Sequence, residues 1–170
     1  MKENPAHFSL NISARDIRDE ETRAFLLNSF REHPELTPRL TLEMIEMESL
    51  VSGTDTKAFI AQAKKLGVSF AIDDFGSGYS NYKTLIELDI DYLKIDGSLI
   101  KAMLNDPASR DIVELITWFS HRNRLKVIAE FVENRDILNT LRALNVDFAQ
   151  GYHIGAPAPA ADWSPPPDWS

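Results

Sequence analysis

The sequence contains no cysteine. That excludes disulfide frameworks, thiolate zinc sites, iron–sulfur clusters and cysteine nucleophiles together, and it fits a reducing compartment. An excess of positive charge is also missing: 18 Lys+Arg stand against 26 Asp+Glu, a formal net charge of −8. An acidic chain has no electrostatic footprint for DNA or RNA, so neither is expected as a partner. No apolar run approaches the roughly 18–20 residues of a transmembrane helix. The stretch from Met1 to Ser9 lacks an apolar core long enough for a signal peptide. No membrane contact and a cytoplasmic location are the resulting expectations. Nor is there a Ser-His-Asp set, a P-loop or a dinucleotide fingerprint.

What remains is ordinary globular material: 170 residues, 44% apolar and 26% charged, enough for one domain. Short β-like runs alternate with helical patterns. The runs are Phe8–Ile12, Leu40–Glu43, Val68–Asp73, Asp91–Asp96, Leu125–Glu130 and Val146–Gln150. Helical spacing occupies about Ala14 to Phe30, then Phe59, Ala63 and Leu66, with Thr54 as N-cap and Gly67 just past the end. It returns at Ile112, Val113, Ile116 and Phe119, and at Ile137, Leu138, Leu141 and Leu144 with Asn134 as N-cap. Strand–helix alternation implies parallel strands joined by right-handed crossovers. Both an open doubly wound sheet and a closed (β/α)₈ barrel accept that pattern. A barrel needs eight strands and typically about 250 residues, so roughly two strands and about 80 residues are lacking on that reading. The segment from Ala156 to Ser170 carries five prolines and reads as an extended or disordered end.

The informative feature is the phase of the polar residues. Strand side chains alternate faces. One face of each run is apolar and suited to covering by helices. The other ends in a hydrogen-bonding or charged group at the carboxyl end of the strand, where barrel enzymes keep their catalytic groups. Asn11, Glu43, Asp73, Asp74 and Glu130 offer oxygen, and no histidine shares this face. All-oxygen sets suit Mg²⁺ or Mn²⁺ rather than zinc or copper. Crowded carboxylates repel one another unless cations neutralise them. Asp73 and Asp74 sit where a strand becomes a loop, so each could serve a different metal. Two metals about 3.5–4 Å apart are a standard arrangement for phosphodiester hydrolysis. Lys94 would orient the attacking water or stabilise developing charge; a structural ion pair to Asp96 or a neighbouring carboxylate is its competing role. Asp73–Asp74 could equally be a capping pair, and the glycines of Phe75-Gly76-Ser77-Gly78-Tyr79-Ser80 either approach a phosphate or form a plain connector.

At these residues the chain resembles an EAL-type cyclic-di-GMP phosphodiesterase domain. The matching segments are Leu10-Asn11-Ile12-Ser13, Leu42-Glu43-Met44-Ile45-Glu46, Ile72 to Ser80, Leu93-Lys94-Ile95-Asp96, Ala129-Glu130-Phe131-Val132-Glu133 and Gln150-Gly151-Tyr152. The resemblance implies a TIM-barrel-like α/β fold, of which six βα units of an eight-stranded barrel are present. It implies hydrolysis of cyclic-di-GMP to linear pGpG with Mg²⁺ or Mn²⁺ in a two-metal site. By motif, Asn11, Glu43 and Asp73 resemble metal ligands, and Asp74 the ligand nearer the second metal. Lys94 looks like the lysine that holds the hydrolytic water, and Glu130 like a ligand or general base. Gln150, Glu46, Asp96, Glu133, Gly76 and Gly78 resemble supporting residues, with Glu46 bracing the loop from Phe75 to Ser80. A partial EAL domain is expected over residues 1–159, with a Pro-rich tail over 160–170.

Three departures stand out. The Glu-Ala-Leu segment that names the family is absent, Phe131 stands where the family usually has Gly, and Ile45 replaces a usual Thr. Two strands fewer would expose sheet edges, so the chain is expected to belong to a longer protein with upstream domains, or to form a homodimer. The alternative function is a catalytically inactive EAL module that binds cyclic-di-GMP or a protein partner. A carboxylate glycosidase would use paired acids but leaves Lys94 without a role.

Overall fold

The computed structural model describes residues 6–44, 54–76 and 82–159. Its strands are β1 (Phe8–Ile12), β2 (Leu40–Met44), β3 (Ser69–Phe75), β4 (Tyr92–Ile95), β5 (Lys126–Ala129) and β6 (Phe148–Ala149). They form one six-stranded sheet whose order follows the sequence from β1 to β6. The helices are α1 (Ala14–Arg18), α2 (Glu20–Glu32), α3 (Thr54–Lys65), α4 (Tyr82–Leu88), α5 (Gly97–Ala102), α6 (Pro107–Arg122) and α7 (Arg135–Ala143). The chain divides into two compact units, Met1–Leu93 and Lys94–Ser170.

In the first unit, β1 pairs parallel with β2 and β2 with β3. The helical stretch after β1 is two helices rather than one. Asp19 is the reason: its backbone N–H closes α1 on the Arg15 carbonyl, and its carboxylate accepts the Thr22 N–H to start α2. A capping box between Ser13 and Asp16 opens α1. The core holds Ile17, Leu42, Met44, Phe59, Ile60, Phe70 and Ile72, with the Phe59 and Phe70 rings edge to face at 6.1 Å. Gly67 at φ +96° ends the turn after α3, as the sequence implied. Asp91 stops short of β4 and does a different job. Its carboxylate accepts the Phe70 N–H at 2.9 Å and the Lys64 ammonium at 2.9 Å, tying β3 to the approach of β4.

The apolar face of β1 departs from expectation. Ile12 is buried, but Phe8 is 53% exposed and Leu10 48%. β1 is an edge strand with β2 as its neighbour, so the covering that inner strands receive is lacking here.

In the second unit, Asp106 caps α6 and Pro107 occupies its first turn. Asn134 caps α7 through the Ile137 N–H at 2.9 Å, as its position predicted. β5 pairs parallel with β6, Ile128 opposite Phe148 and Ala129 opposite Ala149. Asp147 repeats the role of Asp91: it accepts the Val127 N–H at 2.9 Å, Lys126 at 2.7 Å and His121 at 2.8 Å. Burial alone would raise the Asp147 carboxyl, but the hydrogen bonds from Lys126, Val127 and His121 outweigh it and hold the group below the ordinary 3.8. Among the described residues no helix is long and apolar enough to cross a membrane.

Candidate active site

In the first unit, parallel register sets Asn11 opposite Glu43 and Glu43 opposite Ala71. Glu43 is 9% exposed, whereas Asn11 is exposed. Asp73 and Asp74 both lie on β3, near its carboxyl end. Asp74 has φ +56°, a left-handed conformation that aspartate tolerates and that breaks the strand's alternation. Its N–H donates to the Asp73 carboxylate at 3.0 Å. The kink gives the two neighbouring acids different surroundings: Asp73 is half-buried and Asp74 exposed. Gly76 follows at φ +102°, which requires glycine or strain. Glu46 and Gly78 lie outside the described residues, as do Ile45, Ser80 and the tail over 160–170.

In the second unit, Lys94 points from β4 to Glu130, one residue beyond β5, at 2.8 Å. Their side chains are 4% and 11% exposed. Two ionised groups held this far from water must compensate each other. The Glu130 N–H reaches the Ile95 carbonyl at 3.4 Å, fixing the strand end that carries the carboxylate. Lys94 therefore pairs with Glu130. Asp96 is turned to a separate task, capping α5 through the Ser98 N–H at 3.0 Å and the Ser98 hydroxyl. Glu133 holds Lys101 at 2.7 Å on the surface, each about half exposed.

A cavity of 220 Å³ lies beside Glu130, lined by Phe131, Gln150, Gly151, Tyr152, Gly155 and Pro157 as well. Its wall is two backbone segments stitched together: Val132 donates to Gln150 at 3.0 Å and His153 to Val132 at 2.9 Å. Gly151 is required there, since a Cβ would sit 2.3 Å from the Val132 nitrogen. Tyr152 was visible in the sequence only as part of Gln150-Gly151-Tyr152. Its place on the cavity depends on this long-range stitching, which no local pattern announces.

Asn11 on β1, Glu43 on β2 and Asp73 and Asp74 on β3 carry hard oxygen donors, whose chemistry suits a divalent cation. Glu130 offers the same donor chemistry with one oxygen on Lys94.

The EAL domain family pattern matches residues 1–157. Cyclic di-GMP phosphodiesterase PdeB of Shewanella oneidensis is 32% identical over 155 residues, which are 91% of this chain and 18% of that protein. A solved EAL domain protein from Listeria monocytogenes superposes with a TM-score of 0.84 at 31% identity, covering 92% of this chain and 62% of that one. The structure described as the PaMucR phosphodiesterase, c-di-GMP complex, superposes with a TM-score of 0.81 at 30% identity, over 91% and 63%. The chain spans about a fifth of the length of PdeB and of the Escherichia coli cyclic di-GMP phosphodiesterase PdeF. The α/β sheet of parallel strands, the acidic strand ends and the family match together make this chain a member of the EAL domain family.

Proposed function

We propose that the chain belongs to a metal-dependent phosphodiesterase that hydrolyses cyclic-di-GMP to linear pGpG in the cytoplasm. The observation that carries this reading is the buried Lys94–Glu130 ion pair at the carboxyl ends of β4 and β5. A purely structural pair on this sheet could be replaced by apolar residues without loss, whereas a hydrolase needs a fixed cation and a fixed carboxylate beside the reacting phosphorus.

In this proposal Asn11, Glu43, Asp73, Asp74 and Glu130 supply the metal ligands, all of them oxygen donors of the kind that suits a divalent cation. Bound Mg²⁺ or Mn²⁺ would offset phosphate charge and lower the pKa of a coordinated water. The Lys94 ammonium donates to the attacking water oxygen and holds it in line. Glu130 accepts the water's proton as the oxygen–phosphorus bond forms. The P–O3′ bond breaks, the 3′ oxygen takes a proton, and the new 5′-phosphate stays on the product. Gln150 and the glycine at position 76 support this site, with Glu46, Gly78, Asp96 and Glu133 as outlying supports. Exposed Phe8 and Leu10 on β1 and Phe148 on β6 support completion of the sheet edges by upstream domains or by a second copy.

A second reading has its own observation. Phe131 follows Glu130 directly and lines the same cavity, which favours a module that binds cyclic-di-GMP without turning it over. Incubation with cyclic-di-GMP in Mg²⁺, Mn²⁺ or EDTA, with separation of products, decides between them. Linear pGpG with metal and none with EDTA is expected. Binding without product in any metal would leave the second reading.

A further inference from the structure

Phe131 has a conformation and surroundings that packing alone does not account for. Its φ is +51°, a left-handed backbone that a bulky side chain adopts against a steric penalty. Strain of this kind persists where the surroundings impose it, and it clusters at binding sites. The surroundings here are specific. The ring lies so close to α5 that a Cβ on Gly97 would meet it at 2.2 Å. The Lys101 ammonium stands 5.0 Å from the ring centroid, and Glu133 holds that ammonium at 2.7 Å. Gly97, Lys101 and Glu133 thus seat one aromatic ring. Yet Phe131 stays 50% exposed, so the seat does not serve to bury it. Its exposed part lines the 220 Å³ cavity together with Tyr152, itself 71% exposed, beside the polar groups of Glu130 and Gln150.

That cavity is below the roughly 300–1,000 Å³ of a site for a drug-sized ligand, so it suits one flat ring system of a larger molecule. Its two aromatic side chains offer a stacking surface, and the Gln150 amide offers a complement to a base edge. We propose that Phe131 is a specificity-determining residue whose ring is the platform on which one guanine base of the cyclic dinucleotide stacks. This rests on cyclic-di-GMP being the ligand, and it holds whether or not turnover follows.

The test compares the wild-type chain with Phe131→Leu and Phe131→Trp. Leucine keeps bulk and backbone strain but removes the π face; tryptophan keeps the face. Calorimetry without metal gives Kd for cyclic-di-GMP, assays with Mn²⁺ give KM and kcat, and thermal melting checks the fold. Base–aromatic stacking predicts that Phe131→Leu weakens Kd and raises KM about five- to hundredfold, with kcat little changed. Phe131→Trp should restore wild-type affinity. Equal affinity for all three would overturn the stacking role and leave the phosphodiesterase reading intact. A fall in kcat that tryptophan does not rescue would assign Phe131 a structural role instead. A wild-type chain that neither binds nor hydrolyses cyclic-di-GMP would overturn both.

Discussion

Replacing Lys94 by methionine removes the cation from a pair whose partner stays behind. Glu130 is 11% exposed on its side chain and lies 2.8 Å from the lost ammonium. An uncompensated buried carboxylate is costly, and breaking a buried pair from one side typically removes about 3–5 kcal/mol. Whole domains are stable by only about 5–15 kcal/mol, so Lys94→Met should bring the chain near its folding threshold. Glu130→Gln is the milder partner, because the amide keeps volume and some hydrogen bonding. If the pair is mutually compensating, Lys94→Met/Glu130→Gln should lose less than the sum of the singles, with a coupling of about 1–3 kcal/mol. Urea unfolding of the four proteins in EDTA gives these numbers from the midpoints at a common m-value. Additivity within about 0.5 kcal/mol would refute the reasoning, since it would mean the two groups are solvated independently.

Two further outcomes follow from the fold. Asp147→Asn should cost about 1–3 kcal/mol at neutral pH through weakened charge-assisted bonds to Lys126, Val127 and His121. The folded carboxyl lies below its ordinary value, so that stability is full above the unfolded pKa of about 3.9 and is lost as pH falls through the lower folded value; urea midpoints from pH 7 to pH 3 should converge with wild type at the acid end. Gly151→Ala forces a Cβ to within 2.3 Å of the Val132 backbone, and overpacking should cost about 1–3 kcal/mol in thermal melts while opening the cavity beside Glu130.

Much of the architecture could be read from hydrophobic period. β1 falls on Phe8–Ile12 as expected, and the other strands differ from their expected limits by a few residues at one or both ends. The period signal worked because each strand carries several alternating residues and each long helix several turns. It failed at α4 and α5, which span seven and six residues and are too short to show a repeat. It failed also at Asp91 and Asp147, which fall in the expected runs Asp91–Asp96 and Val146–Gln150 but precede β4 and β6. Their partners, the N–H groups of Phe70 and Val127, come from neighbouring strands twenty or so residues away in sequence. For the site, the spacing singled out Lys94 and Glu130 but left Asp96 open as the lysine's partner; the choice depended on the position of β5. The left-handed backbone at Asp74 carries no sequence signal, since aspartate tolerates it but does not demand it. Phe131 was visible as a departure from the family pattern, and its seat on Gly97 and Lys101 emerges only once α5 is in place.

The measurement that bears most directly on the central claim is cyclic-di-GMP turnover by the wild-type chain and by Lys94→Met, each assayed with Mn²⁺ and scored for pGpG, with Kd measured on the same preparations and folding checked by melting. The account predicts that wild type forms pGpG and that Lys94→Met, under conditions where it is folded, binds cyclic-di-GMP but loses at least about a hundredfold in kcat, the usual scale for a proton-handling or charge-stabilising group. Turnover by Lys94→Met at the wild-type rate, or no pGpG from a wild-type chain that binds the dinucleotide, would contradict it.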